Sequence, residues 1–357
     1  MVDWNLAVAT ATRLVRPGPE VSRDEARAVV AELRRHAKTS EEHVRAFTRL
    51  GTEEGHDTPV LVVDRPGWIR ANVAGFREIL RPLLDKMQER RGNTPGGSVM
   101  SAVGGKVTGV ELGMLLSFLS SRVLGQYETF APATRELPSG GNGGGRLLLV
   151  APNIVHVERE LDVDPHDFRL WVCLHEETHR VQFTAVPWMR DHIRSEIEAL
   201  VSEIEVDPAK LASMVGEGVK RVGDILRGDD DVSLLDLFSS ARQREVLDRI
   251  TAVMSLLEGH ADVVMDGVGP EVIPTVKDIR RRFTERRKGT SYLDRVLRKL
   301  LGLDAKMAQY RDGAAFTRGV LDQVGMDGFN AVWAEPAHLP SRVEISDPAA
   351  WVRRVHG

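Results

Sequence analysis

Cysteine is almost absent from this chain of 357 residues, which contains only Cys173. A single cysteine excludes a framework of internal disulfides and is typical of proteins that work in a reducing compartment. The first twenty residues place Asp3 and Trp4 where an export signal would have basic residues, and no long apolar run follows them. We therefore predict no export signal and a cytoplasmic protein.

Long uninterrupted apolar runs are also lacking. The most apolar stretch, residues 107–125, contains Glu111 and Arg122, which a membrane-spanning helix would rarely carry unpaired. A buried helix explains it better, and glycines at four-residue spacing would let another helix approach closely: Gly105, Gly109 and Gly113. The sequence therefore predicts no membrane partner.

An excess of basic charge is missing too, since the formal net charge is −4. Such a chain has no general attraction to nucleic acid. The one basic run, RRRFTERRK at residues 280–288, includes Glu285 and has no accompanying series of aromatic residues. A solvated helix face explains this run, so we predict no nucleic-acid partner.

Helical periodicity dominates what is present, because apolar residues recur at spacings of three and four. Capping patterns begin two of the helices, at Ser22 and at Ser40. The predicted helices are 21–36, 40–50, 69–90, 108–124, 166–184, 191–204, 207–226, 240–266, 272–287, 292–310 and 312–324.

Strands are few. The clearest one spans residues 146–160 and contains Pro152, which predicts an edge strand or a bent one, because proline cannot donate to a ladder. A second short strand is predicted at residues 59–64. The glycine-rich segment 136–145 reads as a flexible loop. It separates an N-terminal helical region, 1–135, from a region at 146–357 that contains the chemistry, and we expect both to form one compact unit.

The segment LHEETHRVQF, residues 174–183, contains two histidines four positions apart, with a glutamate directly after the first. On a helix of 3.6 residues per turn, His175 and His179 differ by about 40° and roughly 6 Å of rise. Both imidazoles can therefore bind one zinc ion. Glu176 lies about 100° from His175 and suits a general base that reaches a zinc-activated water.

The next glutamate, Glu177, lies about 200° from His175 and points away from the expected ion. We expect it to pair with Arg180 at the helix surface. These two residues occupy positions that are usually uncharged in zinc peptidases, which favours the alternative that the motif is a chance match. The apolar run before the first histidine, DPHDFRLWVCL, favours the zinc site, because chance matches usually fall on solvated helices.

A catalytic zinc needs a third protein ligand, and the residues after His179 restrict its type. A metzincin would have glycine at position 182 and histidine at position 185, where this chain has Gln182 and Ala185. That class is excluded. A carboxylate from a second helix, as in gluzincins, is the alternative.

The best candidate for this carboxylate is Glu258 in SLLEGHADVVMDGVG, residues 255–269. A glutamate in so apolar a run is costly unless it is paired or binds a metal. Asp262 follows four residues later, the Glu-x-x-x-Asp spacing of gluzincins, in which the aspartate accepts a hydrogen bond from a ligand histidine. His260 points about 160° from Glu258, so we expect it to pack or to support the ligands from outside.

Other assignments stay open. Glu258 could instead bond an arginine in an ordinary buried polar cluster. Rival carboxylates occur in RSEIEALVSEIEVD, where a solvated helix face explains them better: Glu196, Glu198, Glu203 and Glu205.

Together, LHEETHRVQF and LLEGHADVVMDGVG, with GLDAKMAQYRDG and VGMDGFNAVW behind them, resemble an actinobacterial family named as zinc-dependent metalloproteases or hydrolases. The opening, VDWNLAVATATRLVRPGPEVS, is similar to the branch associated with deazaflavin-coenzyme biosynthesis. The resemblance covers nearly the whole chain. It implies a mainly α, multi-helix zincin-like domain with a short edge strand or small β-element near the HExxH helix. It also implies a gluzincin-like zinc site with Glu176 as the base and three ligands: His175, His179 and Glu258.

The predicted function is that of a zinc-dependent hydrolase, in the first place a metallopeptidase that cleaves a peptide or amide bond. Glu176 would take a proton from the water and pass it to the leaving amine. An extended substrate could pair with the strand at residues 147–151. Tyr310 is the first candidate to stabilise the oxyanion, with Tyr292 and His260 as others. The alternative is a catalytically silent protein of this fold that acts as a scaffold or binding module.

Overall fold

A computed structural model describes residues 2–51, 58–81, 84, 98–132, 138–140, 145–202, 241–288 and 303–357. It gives the backbone alone for residues 98–107, 201–202, 270, 287–288 and 303–311. The helix predicted at 207–226 and residues 292–302 of the helix predicted at 292–310 lie outside the described residues.

The fold is mainly α-helical with one small sheet, as predicted. The helices in the described residues are α1 Trp4–Leu14, α2 Arg23–Thr48, α3 Arg65–Ile79, α4 Ser98–Ser120, α5 Ala151–Leu161, α6 Pro165–Ala185, α7 Pro187–Ser202, α8 Ala241–Val272, α9 Val276–Lys288, α10 Leu303–Phe329, α11 Arg342–Ser346 and α12 Pro348–His356. The strands are β1 Val60–Val63, β2 Gly125–Glu128 and β3 Arg146–Val150. Within this part of the chain, no helix combines the length and apolar character that crossing a membrane requires.

The central strand of the sheet is β3, which pairs in parallel with β1 and antiparallel with β2. The prediction of an edge or bent strand over residues 146–160 was wrong, because the strand ends at Val150 and Pro152 lies in the first turn of α5. Proline suits that turn, where its missing N–H would have no helical partner. The expected pairing of a peptide with residues 147–151 was also wrong, since both edges of β3 are occupied.

One continuous helix, α2, replaces the two predicted at 21–36 and 40–50. Ser22 caps it as predicted, and its hydroxyl accepts a first-turn backbone N–H at 3.1 Å. Ser40, the second expected cap, is buried inside the helix. The helix continues because neither proline nor glycine interrupts it and buried apolar residues keep a helical spacing: Leu33, Ala37 and Val44.

Close contact between α1 and α4 depends on glycine, as the four-residue spacing predicted. A Cβ on Gly109 would lie 2.7 Å from the carbonyl oxygen of Asp3, and one on Gly113 would lie 2.7 Å from that of Ala7. Both distances are too short for a side chain, so α1 lies directly on the backbone of α4. The stretch that most resembled a membrane span is therefore explained by helix packing.

The chain forms two compact units, of which the first consists of Met1–Arg190 and Val264–Ile279. The second consists of Asp191–Val263 and Arg280–Gly357, so α8 contributes residues to both. These units differ from the division predicted at residues 136–145, which as a statement about domains stays a prediction. The core of the first unit joins β3 to α3 and α4 through buried apolar side chains that include Trp68, Ile69, Leu116, Leu148 and Val150.

In the second unit, α8 and α10 cross at two glycines. A Cβ on Gly259 would lie 2.0 Å from the carbonyl carbon of Gly313, and one on Gly313 would lie 1.8 Å from the carbonyl oxygen of Ser255. His260, the next residue, is buried and stacks on Phe329 with ring centroids 5.3 Å apart, which is the packing role expected for it. The glycine between Glu258 and His260 is thus required by backbone contact.

Replacing Gly259 by alanine should lower the free energy of unfolding by about 1–3 kcal/mol, because a methyl group there overlaps the backbone of α10. Gly75→Ala in α3 is the matched control, since a Glu128 carboxylate oxygen lies 3.9 Å from the added Cβ, which is ordinary van der Waals contact. That variant should gain about 0.5–1 kcal/mol from helix propensity. Denaturant unfolding measures both, and equal shifts in the two variants would contradict the crossing.

Candidate metal centre

The helix that carries the motif, α6, is deeply buried. It begins with Pro165 after Asp164, whose carboxylate accepts the N–H of Asp167 at 2.9 Å. Phe168 and Leu174 are fully buried, as are most of the residues between them. The chance-match alternative requires a solvated helix, so this burial argues against it.

The two histidines of the motif face each other across one helical turn. Nε2 of His179 lies 3.3 Å from Nε2 of His175, and the ring planes meet at 87°. Two nitrogens bound to one tetrahedral zinc at about 2.0–2.1 Å are themselves separated by about 3.3–3.4 Å. The observed separation fits two ligands of one ion.

The outer nitrogens of the same rings have their own partners. Nδ1 of His179 lies 3.0 Å from Oε1 of Gln182, and Nδ1 of His175 lies 3.3 Å from Sδ of Met265. An amide oxygen only accepts, so this contact is compatible with the tautomer of His179 that has its proton on Nδ1 and its lone pair on Nε2. In the sequence, Gln182 indicated only that the chain is not a metzincin. Its spacing of three from His179 on one helix could have indicated the contact.

Glu176 is nearly buried and lies against β2. The side chain is 7% exposed, and a Cβ on Gly125 would come within 2.5 Å of its Cγ. Only glycine therefore fits at the start of β2. The contact restricts where the Glu176 carboxylate can lie, as a general base requires.

Glu177 points away from the two histidines, as expected, and its carboxylate accepts a hydrogen bond from Arg180 at 2.6 Å. The expectation of a surface pair was wrong, because Glu177 is fully buried and Arg180 is 5% exposed. The cause is α2, which covers this side and whose Glu41 also accepts from Arg180. Burial raises the pKa of Glu177 to about 7, while Arg180 opposes the rise. We call this side the reverse face of α6, formed by His166, Arg169, Cys173, Glu177 and Arg180.

Glu258 lies in a buried stretch of α8, as expected from its apolar surroundings. It is 7% exposed, between the buried residues Leu257 and Ala261. Within the described residues, two sets of three side chains offer ligand atoms for one metal ion each. One set is His175, His179 and Glu258; the other is Glu32, His36 and His166.

Asp262 was expected to orient a ligand histidine, but its contacts are with arginines. Its carboxylate accepts from Arg280 at 2.9 Å and lies 3.4 Å from a guanidinium nitrogen of Arg318. Sequence spacing could not reveal these partners, because they come from two other helices. For His179, the orienting contact comes from Gln182 instead.

The other candidates can be placed in part. Glu196 pairs with Arg249 at 2.8 Å, which accounts for it without a metal. Glu203, Glu205 and Tyr292 lie outside the described residues, and only the backbone of Tyr310 is described.

Comparison with known proteins supports this chemistry. The chain matches the zincin-like metallopeptidase family over residues 2–352. It is similar to a solved structure from Chloroflexus aurantiacus, provisionally described as a hydrolase with a novel fold. The TM-score is 0.69 and the identity 30%, over 99% of this chain and 98% of that one. No curated protein matches the chain significantly.

Replacing Gln182 by methionine should weaken zinc binding at His175 and His179 by about 10–100-fold, because it removes the acceptor that orients one ring. Gln182→Glu keeps an acceptor oxygen at similar size and should bind zinc nearly as tightly as the wild type. Chelator competition measures the affinity. Only the zinc that is bound by the wild type and lost in His175→Ala is counted. Unchanged affinity in Gln182→Met would rule out this orienting role.

Proposed function

Because the chain belongs to the zincin-like metallopeptidase family, we propose that it is a zinc-dependent hydrolase that cleaves a peptide or amide bond. The observation that carries the proposal is the 3.3 Å separation between the Nε2 atoms of His175 and His179. This is longer than the usual hydrogen bond of about 2.9–3.0 Å and equals the spacing of two nitrogens on one tetrahedral zinc.

We assign Glu258 as the third ligand. It precedes Met265 by seven residues on α8, so the two side chains project within about 20° of each other. Met265 contacts the Nδ1 atom of His175, and this contact on the same side of α8 supports Glu258 as the third ligand.

Two imidazoles and one carboxylate form the ligand set of gluzincins, with one coordination position left for water or substrate. A bound zinc ion supplies a Lewis acid that polarises a carbonyl group and acidifies a water molecule. The protein has to hold its ligands at fixed tautomers and distances. The contact between Gln182 and Nδ1 does this for His179.

Glu176 is proposed as the general base. It follows His175 directly and projects about 100° from it, beside the ion and outside its ligand set. Its carboxylate takes a proton from the attacking water and delivers it to the leaving amine, which turns that amine into a better leaving group. The contact with Gly125 limits its movement during both transfers.

β2 is proposed to bind the substrate. Within the described residues it lies at one edge of the sheet, and its first residue, Gly125, touches Glu176. An extended peptide that pairs with β2 would pass directly beside the base. This geometry favours peptides or amides with an extended backbone over compact substrates.

The opening residues 2–22, which resemble the deazaflavin-associated branch, have a packing role in the structure. They form α1, its caps and the start of α2, and α1 lies on the backbone of α4. These contacts give the opening residues a role in the fold, and they carry no substrate assignment.

Glu176→Gln should retain its zinc and its fold but lose peptide hydrolysis by at least the ~10²–10⁴-fold that positioned acid–base catalysis contributes. The amide has nearly the size of the carboxylate and cannot accept the proton. Glu160→Gln is the matched control, because Glu160 is an exposed glutamate on α5 and its replacement should leave hydrolysis unchanged.

The assay uses a library of extended peptides at neutral pH, with a chelator-treated sample of the wild type. Equal cleavage by wild type and Glu176→Gln would remove Glu176 from the mechanism. Cleavage that survives complete removal of zinc would contradict the metallopeptidase proposal. A fourth protein ligand on the zinc would instead favour the catalytically silent scaffold. That ligand would occupy the coordination position that the attacking water needs.

A further inference from the structure

A second set of potential ligands lies at the start of α6, on its reverse face. It consists of Glu32 and His36 on α2 and His166 in the first turn of α6. All three lie in the first compact unit, and none of them belongs to the centre formed around His175.

The three ligand atoms surround one point. Nδ1 of His166 lies 2.9 Å and Nε2 of His36 lies 3.4 Å from the same oxygen, Oε1 of Glu32. The two imidazole rings are 4.6 Å apart and meet at 74°. Glu32 and His36 are four residues apart and therefore share one face of α2. A tripod of two nitrogens and one oxygen results.

His36 is the member of the set that most needs a further partner. It is 7% exposed, and its Nε2 lies 3.4 Å from Oε1 of Glu32, which is longer than a usual hydrogen bond. Burial, followed by the neighbouring His166, lowers the pKa of His36. A neutral imidazole has a lone pair on one ring nitrogen, and that lone pair can bind a cation.

Arg169 lies beside the set, and its positive charge opposes the binding of a cation. Its guanidinium donates to Oε2 of Glu32 and forms two hydrogen bonds with the buried Glu158, at 2.5 and 2.9 Å. Oε1 of Glu32 stays turned toward the histidines.

We propose that Glu32, His36 and His166 bind a second metal ion, a divalent transition metal of the kind that prefers imidazole ligands, such as zinc. The side chain of His166 is 63% exposed, so an ion can enter from solvent and water can complete its coordination. The ion would join the first turn of α6 to the middle of α2. This site does not depend on the proposed hydrolase function.

The test uses the full chain with His175→Ala and His179→Ala combined, which removes the first centre, and zinc alone as the probe. We expect this protein to bind about one zinc per chain. Adding His166→Ala should weaken that binding by at least about 10-fold, since a direct ligand matters no less than the groups that orient one. Equilibrium dialysis followed by metal analysis measures both.

His156→Ala in the same background is the matched control. His156 is an exposed histidine on α5 with a carboxylate four residues later, Glu160, at 3.8 Å, but it belongs to neither set of three. Its replacement should leave zinc binding unchanged. Absence of bound zinc in the folded background protein, or equal loss in His156→Ala and His166→Ala, would overturn the proposal.

If the double background variant does not fold, the wild type and His166→Ala are compared directly. His166 is exposed, so its replacement leaves the core intact. The wild type should then bind about one zinc more per chain than His166→Ala. Equal zinc contents would overturn the second site, whatever the result at His175.

Discussion

Burial of the reverse face of α6 against α2 is the constraint on which the rest of the first unit depends. A helix can hold two histidines toward an ion only if its other side is fixed. Here α2 contacts it at three levels, through Glu32 to Arg169, through the carbonyl of Leu33 to Cys173, and through Glu41 to Arg180. Polar contacts between such buried or partly buried side chains contribute little net stability. Each would be costly to break, so together they set the register of α6.

The carboxylates with proposed roles, Glu176 and Glu258, lie in a different kind of environment. Next to each of them is a glycine that lets another backbone segment come into close contact. Gly125 lets β2 touch Glu176, and Gly259 lets α10 cross beside Glu258. In both places a glycine is next to a carboxylate with a proposed role. A methyl group would overlap Glu176 in the first place and the backbone of α10 in the second. Side chains on the reverse face are therefore held by ion pairs with α2, whereas the position of Glu176 is limited by its close contact with Gly125.

How much of this could be predicted depends on the range of the interactions. The capping of α2 by Ser22 and the common direction of His175 and His179 follow from spacing along one helix, and the sequence indicated both. The burial of Glu177 and the partners of Asp262 depend on distant helices, and spacing cannot show which element covers a given face. Pro152 was misjudged for a local reason, because proline is compatible both with an edge strand and with the first turn of a helix.

The two faces of α6 also explain the feature of the motif that first counted against a zinc site. Glu177 and Arg180 stand at positions that are usually uncharged in zinc peptidases, and on a solvated helix they would indicate a chance match. In this chain they pair with each other on the reverse face and with Glu41. Their charges are thus required by the packing of α2, and they point away from His175 and His179. Glu177 and Arg180 lie on one side of the helix, and His175 and His179 lie on the other. The two charged residues therefore do not count against a zinc site at the histidines.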